Sequence, residues 1–440
     1  MKKFWFLVFL LFFVGEVGMG DNFSSILSNI EKNRVDFTLD NGLKVVLLNI
    51  DGAESVNITL GVGAGSLYES KVGVAYLTSK VLLFKNKKYG ILEIPKYIES
   101  LGGSIDSTAT HDIASISIKC LYEDIYNVLP KLLDVLTDFY VDDEVLGIVK
   151  PNIISQIKLR DDDPWDFTRK IFWKELYGDH PYGREPEGDD KSVEDISKED
   201  VMNFFQNFYT PDNAILVIVG KIDSKNLRQF IQTNFSRWKG KKFNFKIPSF
   251  EVKSRGNYVK VSKDLKQSTI RVGHLSTNIK DPKRVELKIL NFILGGGGFG
   301  SRLMEKIREK EGLAYGVTSN FYIDRMLDGY FFVGTQTENK NVSKVIEMIT
   351  NEIRSIIENG VSDKELDDTK KFLEGSLLLS MESFSSIASF LMTEKFFGLE
   401  RNYFVKDVEK ISVIRKEDIN RVARGYFKPD NFTIVVVGGE

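Results

Sequence analysis

The chain has one cysteine, Cys120, among 440 residues. No internal disulfide can form, and a zinc or iron–sulfur site built from cysteines is excluded. Histidine is almost as scarce, with only His111, His180 and His274. None has a second histidine at the i, i+3 or i, i+4 spacing that puts two imidazoles on one helix face. Charge of one sign is not in excess. The 60 basic and 62 acidic residues give a net charge of −2, without the basic footprint of non-specific nucleic-acid binding. Beyond the N-terminal segment no apolar run reaches the roughly 18 residues a membrane-spanning helix needs. There is no Gly-x-Ser-x-Gly elbow and no Walker A loop. What is present is ordinary globular composition, 42% apolar and 28% charged, which argues against disorder, collagen and coiled coil. The length favours two or three domains.

The first twenty residues read as an address. Lys2 and Lys3 precede an eleven-residue apolar run, Phe4 to Val14, and Gly18-Met19-Gly20 supplies small residues before Asp21. This pattern predicts a secretory signal peptide over 1–20. The alternative is a retained anchor, for which the run is short against a bilayer core of about 30 Å. No cysteine follows the run, so a lipoprotein anchor is excluded. The expectation is an exported protein with no membrane contact after cleavage.

The rest of the chain is doubled. Lys198 to Gly220 and Lys416 to Gly438 are offset by 218 residues and agree at nine of 23 positions. Both run from Lys-Glu-Asp through Pro-Asp-Asn to a Val-rich stretch ending in Gly. A repeat this long means two copies of one domain rather than a solenoid. Each copy predicts a helix, a turn and a strand. In the first copy Ser197 and Asp200 form a capping box. Leu43 to Leu48 and Val56 to Val62 read as strands flanking a turn at Asp51-Gly52, and Ile113 to Lys119 as another strand. Ile125, Val128, Leu129, Leu132 and Leu136 mark a helical face, with Pro130 near its start or at a kink. Strands and helices interleave without strict βαβ alternation, which predicts an α+β fold. The predicted domains are 21–237 and 257–440, each large enough for its own core. The lysine-rich stretch 238–256 is the expected linker.

The most unusual local sequence is Gly295-Gly296-Gly297-Gly298-Phe299-Gly300. Adjacent glycines permit positive φ and close backbone approach. They suit a ligand-facing loop or a mobile surface loop. The run leads into Ser301-Arg302-Leu303, then Arg308-Glu309-Lys310-Glu311-Gly312-Leu313-Ala314-Tyr315. Gly312 should end the helix, leaving Arg308 in its last turn and Tyr315 opening a strand. Taken alone, Arg308 is a cation favoured by a helix C-terminus and Tyr315 a strand residue.

A glycine-rich loop, Ser-Arg-Leu, and Arg-Glu-Lys-x-Gly-Leu-Ala-Tyr together resemble the C-terminal domain of the M16 zinc peptidases. Asn41-Gly42-Leu43-Lys44-Val45, Gly61 to Ser66 with Glu69, Leu101-Gly102-Gly103 and Gly178 to Gly183 sit where that family has similar motifs. The resemblance covers nearly the whole mature chain and implies two similar α+β domains. It gives Arg308 and Tyr315, with Gly295, Gly296, Gly297 and Gly298, a substrate-binding role. Arg offers several donors on a permanent cation, and a Tyr hydroxyl can stabilise an oxyanion.

The family's inverted zinc motif, His-x-x-Glu-His, falls here on Gly73 to Leu83. Tyr76 replaces the first histidine, Ser79 the general base and Lys80 the second histidine. The distant glutamate falls in the helix around Ile153 to Ile157, where Ser155 or Gln156 stands. Tyr and Ser are poor zinc ligands at neutral pH, and an ammonium repels the ion. The resemblance therefore implies a subunit with no zinc of its own and no catalytic residue. Its partner would be a zinc-bearing M16 subunit, with peptide as substrate and the periplasm as location. The alternative is a purely structural M16-like subunit. Three remaining features are expected to do no chemistry. His180 is read as a turn histidine and His111 as facing out of a strand entry. Asp161-Asp162-Asp163 before Pro164 is a helix break rather than a calcium site.

Overall fold

The computed structural model describes residues 30–245, 247, 256–381 and 383–439, without the side chains of 377 and 378. The expected signal peptide lies outside them, as do residues 246 and 248–255 of the expected linker. The first half carries β1 (Arg34–Thr38), β2 (Lys44–Asn49), β3 (Ser55–Val62), β4 (Ser104–Ala109), β5 (Ala114–Leu121) and β6 (Ala214–Gly220). Its helices of eight or more residues are α1 (Val74–Val81), α2 (Glu93–Ser100), α3 (Ile125–Thr137), α4 (Asp143–Asp162), α5 (Pro164–Tyr177), α6 (Lys198–Phe208) and α7 (Ser224–Phe235). The second half carries β7 (Tyr258–Ser262), β8 (Gln267–Leu275), β9 (Ala314–Tyr322), β10 (Tyr330–Glu338) and β11 (Thr433–Gly438). Its helices are α8 (Arg284–Asn291), α9 (Val342–Asn359), α10 (Asp363–Ser380), α11 (Phe384–Phe397), α12 (Tyr403–Val413) and α13 (Lys416–Tyr426).

The strand orders are β1-β2-β6-β3-β5-β4 and β7-β11-β8-β10-β9. Apart from the extra edge strand β1, the two sheets have one topology. Each has a single parallel pair, β2 with β6 and β7 with β11, and is otherwise antiparallel. The repeat read over 23 residues thus extends to whole halves of an α+β fold. The turn at Asp51-Gly52 forms, but β2 and β3 are not partners, because β6 lies between them. The capping box of Ser197 and Asp200 is present, and Pro130 sits inside α3. Trp238, expected in the linker, is sealed in the first core.

Neither half buries its sheet alone. One face of the first sheet packs on α1, α3, α4, α6 and α7. Its other face, with Val46, Leu48, Ile215, Val217 and Val219, packs on Ile387, Leu391 and Met392 of α11 and Phe404 of α12, from the second half. Reciprocally, α5 of the first half lays Phe172, Trp173 and Leu176 against Leu275, Tyr330, Phe332 and Val435 of the second sheet. A Cβ on Gly61 would stand 2.5 Å from the Met392 sulfur, and one on Gly273 2.9 Å from Phe172. Each glycine gives the borrowed helix its room. Arg34 of β1 reinforces the exchange, meeting both Glu394 oxygens of α11 at 2.9 and 2.5 Å. Among the described residues no helix is long and apolar enough to cross a membrane.

Candidate functional site

The zinc-motif segment forms α1, which begins at Gly73 with φ +87°. A Cβ there would lie 2.7 Å from the Glu187 carbonyl, so glycine is required. Glu69 closes the helix start. Its carboxylate accepts from the backbone N–H of Gly73 at 3.1 Å and of Ala75 at 3.4 Å, and from Arg184 at 3.2 Å. Burial pushes its carboxyl up to about 7 against the opposing pull of Arg184.

Tyr76, Ser79 and Lys80 share one side of α1, as spacings of three and four residues require. Each is otherwise engaged. Ser79 Oγ donates to the Tyr76 carbonyl at 2.7 Å. Lys80 Nζ lies over the Tyr76 ring, 5.2 Å from its centre, and donates to the Ser107 carbonyl of β4 at 2.7 Å. Burial raises the Tyr76 hydroxyl pKa, so the phenol stays protonated. The nearby acids are also taken: Glu187 pairs with Arg160 at 3.0 Å and Glu185 with Arg169 at 2.9 Å. The distant position lies on α4. Ser155 and Gln156 are both exposed, and the buried face of α4 carries Ile153 and Ile157. Among the described residues no three His, Cys, Asp or Glu side chains could jointly hold a metal ion.

The remaining polar candidates are accounted for by structure. Asp161 pairs with Lys170 at 2.8 Å, and Asp163 caps α5, which makes the aspartate run a helix break. His180 Nδ1 accepts from Tyr182 N at 3.1 Å in its turn. Burial, with Arg184 and Arg325 nearby, lowers its pKa to about 4. His111 does not face outward. It is buried edge-to-face against Trp173 and Tyr182, because the borrowed helix α5 covers the strand entry.

The second constellation is open. The glycine run follows α8 as a wide turn over Phe292–Gly296. A Cβ on Gly295 would meet Ser319 of β9 at 2.7 Å, and one on Gly297 the Phe292 carbonyl at 2.7 Å. Gly296 packs on the Asn291 amide. These three serve internal packing, and Gly298 alone has positive φ and open space around it. Met304–Lys310 is a second wide, π-type turn, a form frequent at functional sites. Gly312 (φ +63°) reverses the chain.

Arg308 therefore lies between two rings, 4.5 Å from the Phe299 centre and 4.9 Å from that of Tyr315. Phe299 is 66% and Tyr315 88% exposed. The neighbouring cations are paired: Arg302 with Glu365, Lys306 with Glu352 and Lys310 with Glu305. Arg308 has no carboxylate partner among the described residues. Tyr315 sits where the β9–β10 register shifts, between Thr335 opposite Val317 and Thr337 opposite Ala314. Such a bulge re-aims a side chain. The buried hydroxyls of Thr335 and Thr337 fix it by donating to the carbonyls of Gly316 (2.7 Å) and Leu313 (2.6 Å).

Residues 44–146 match the family model described as insulinase (peptidase family M16), and residues 195–373 match the peptidase M16 inactive domain. The chain belongs to the M16 peptidase family. A Helicobacter pylori protein named non-peptidase homolog YmxG is 29% identical over 388 residues, 86% of this chain and 87% of its own. A Bacillus subtilis protein named uncharacterized zinc protease YmxG is 24% identical over 398 residues, 90% of this chain and 96% of its own. The crystal structure of a peptidase M16 inactive domain from Pseudomonas fluorescens superposes with a TM-score of 0.86 at 25% identity, over 93% of this chain and 98% of that one.

The residues at the M16 metal positions do not fit zinc. A buried phenol, a hydroxyl spent on its own helix and an ammonium replace the motif, and α4 offers Ser155 or Gln156 in place of the carboxylate. Phe299 is the contact the sequence left unassigned. An aromatic inside a glycine run was its only signal.

Proposed function

We propose that this chain is the non-catalytic, substrate-holding subunit of a heterodimeric M16 zinc peptidase, exported to the periplasm. Its zinc-bearing partner would supply the metal and the base, and this chain would close the other side of the degradation chamber. The observation that carries this reading is a contrast. The zinc-motif face is filled by Tyr76, Ser79 and Lys80, while the Phe299–Arg308–Tyr315 stack is presented without an ion-pair partner. An extended peptide could hydrogen-bond along edge strand β4 or β9, with Arg308 donating to its carbonyls.

The test mixes the mature protein with a zinc-motif M16 protein from the same organism and follows cleavage of a quenched fluorescent peptide. Chelator-sensitive activity well above the partner's own is expected. R308A removes a charged hydrogen-bond donor worth about 1.5–3 kcal/mol, so kcat/KM of the pair should fall roughly 10- to 100-fold with co-elution intact. Unchanged activity on R308A would overturn the role of the stack.

A further inference from the structure

A second aromatic-clamped arginine lies on the face of the second sheet that receives α5. Arg271 of β8 is only 2% exposed. Its guanidinium stacks between Trp165 of α5 and Phe332 of β10, 4.7 Å from each ring centre. Nε is sealed from solvent with no hydrogen-bond partner. Among the described residues no carboxylate is within ion-pair distance of it. The adjacent acid, Asp166, is held by Arg169. Burial draws the Arg271 pKa down to about 10 against the pull of Tyr330, so the group is a cation at neutral pH held by rings rather than by an ion pair.

Its row on the sheet runs to an edge strand. Arg271 stands opposite Gly334, which stands opposite Thr318 on the exposed edge strand β9. Gly334 leaves that row without a side chain, and a Cβ there would lie 2.6 Å from Trp165. The sequence thus makes room for the indole that holds the guanidinium. Exposed Thr318, Gln336 and Tyr322 share this face. A buried cation without an ion-pair partner costs stability, and its fork matches a carboxylate or a phosphate, of which an unmodified peptide carries only the carboxylate.

We propose that Arg271, clamped by Trp165 and Phe332, is a receptor for a carboxylate of the bound peptide, either an acidic side chain or the C-terminal carboxylate. That the carboxylate belongs to a peptide rests on the substrate-holding reading above. The receptor itself does not.

The experiment uses the mature protein and three fluorescein-labelled decapeptides read by anisotropy. One is neutral with an amidated end, one adds an internal glutamate, and one has a free C-terminal carboxylate. At least one carboxylate peptide should bind fivefold tighter or more than the neutral one, and which does so identifies the source. R271M should erase that preference, keep the neutral binding, and melt no lower than the wild type. Equal affinities, a preference that survives in R271M, or a lower melting temperature of R271M would each overturn the receptor. If no peptide binds, the substrate-holding reading fails, and a glutarate titration of tryptophan emission decides the receptor separately. A glutarate response in the wild type that is lost in R271M would sustain it; no response would overturn it.

Discussion

Leu391 of α11 should be needed for folding of the half to which it does not belong. It is fully buried and packs with Val46, Leu48, Ile215, Val217 and Val219 of the first sheet. L391A removes most of that side chain at a site where sheet strands limit collapse, so the cost should be about 2–5 kcal/mol. Taking α11 away altogether would uncover those five side chains. At roughly 1.5–3 kcal/mol each, the loss rivals the whole stability of a typical domain, about 5–15 kcal/mol. Residues 30–237 made alone should therefore be molten. The direct assay is hydrogen exchange of full-length L391A. Amides of β2 and β6, far from the substitution in sequence, should lose protection together with α11. F172A should show the mirror image, with protection lost in β8 and β11. If L391A exposed only α11 while β2 and β6 kept wild-type protection, or if 30–237 alone unfolded cooperatively, the shared core would be refuted.

Three further outcomes follow from single sites. The triple change Y76H/S79E/K80H restores the motif but not the distant carboxylate of α4. Zinc affinity by equilibrium dialysis should stay weak and rise at least about tenfold when S155E or Q156E supplies the distant carboxylate; tight zinc binding by the triple variant alone would refute the need for a ligand from α4. T335V/T337V frees the two carbonyls that hold the Tyr315 bulge. Stability should fall by about 1 kcal/mol per hydroxyl, and kcat/KM of the assembled pair should fall as in Y315F; a pair that matched wild type would show the bulge does not aim Tyr315. His274 pairs through both ring nitrogens, with the Leu275 carbonyl and the Lys428 N–H, and burial lowers its pKa to about 4. Its contribution is complete above pH ~6.5 and is lost as pH falls towards 4, because the unfolded chain takes up the proton first. Between pH 7 and 4.5 urea unfolding should show wild type losing about 2–3 kcal/mol more than H274N; parallel losses would refute it.

Local rules made much of this legible in the sequence, and long-range packing hid the rest. The capping box at Ser197, the break at Asp163 and the turn at Gly312 are set by residues a few positions apart, and they form as read. Tyr76, Ser79 and Lys80 share a face because helical spacing leaves no choice. The distant position resolves no further than Ser155 or Gln156, because α4 runs for 20 residues with little amphipathic contrast and one residue along a helix turns a side chain by about 100°. His111 and Trp238 were misjudged for another reason, since each is covered by a segment remote in sequence. The helix exchange is the same problem at larger scale. α5 and α11 show that they are helices, but nothing in either names the sheet it will cover. One physical consequence joins these points. With the cores shared across the halves, the Arg308 stack and the filled zinc face sit on a single cooperative body. Tyr, Ser and Lys can stand in the zinc motif without loosening that body, because Lys80 ties α1 to β4 directly.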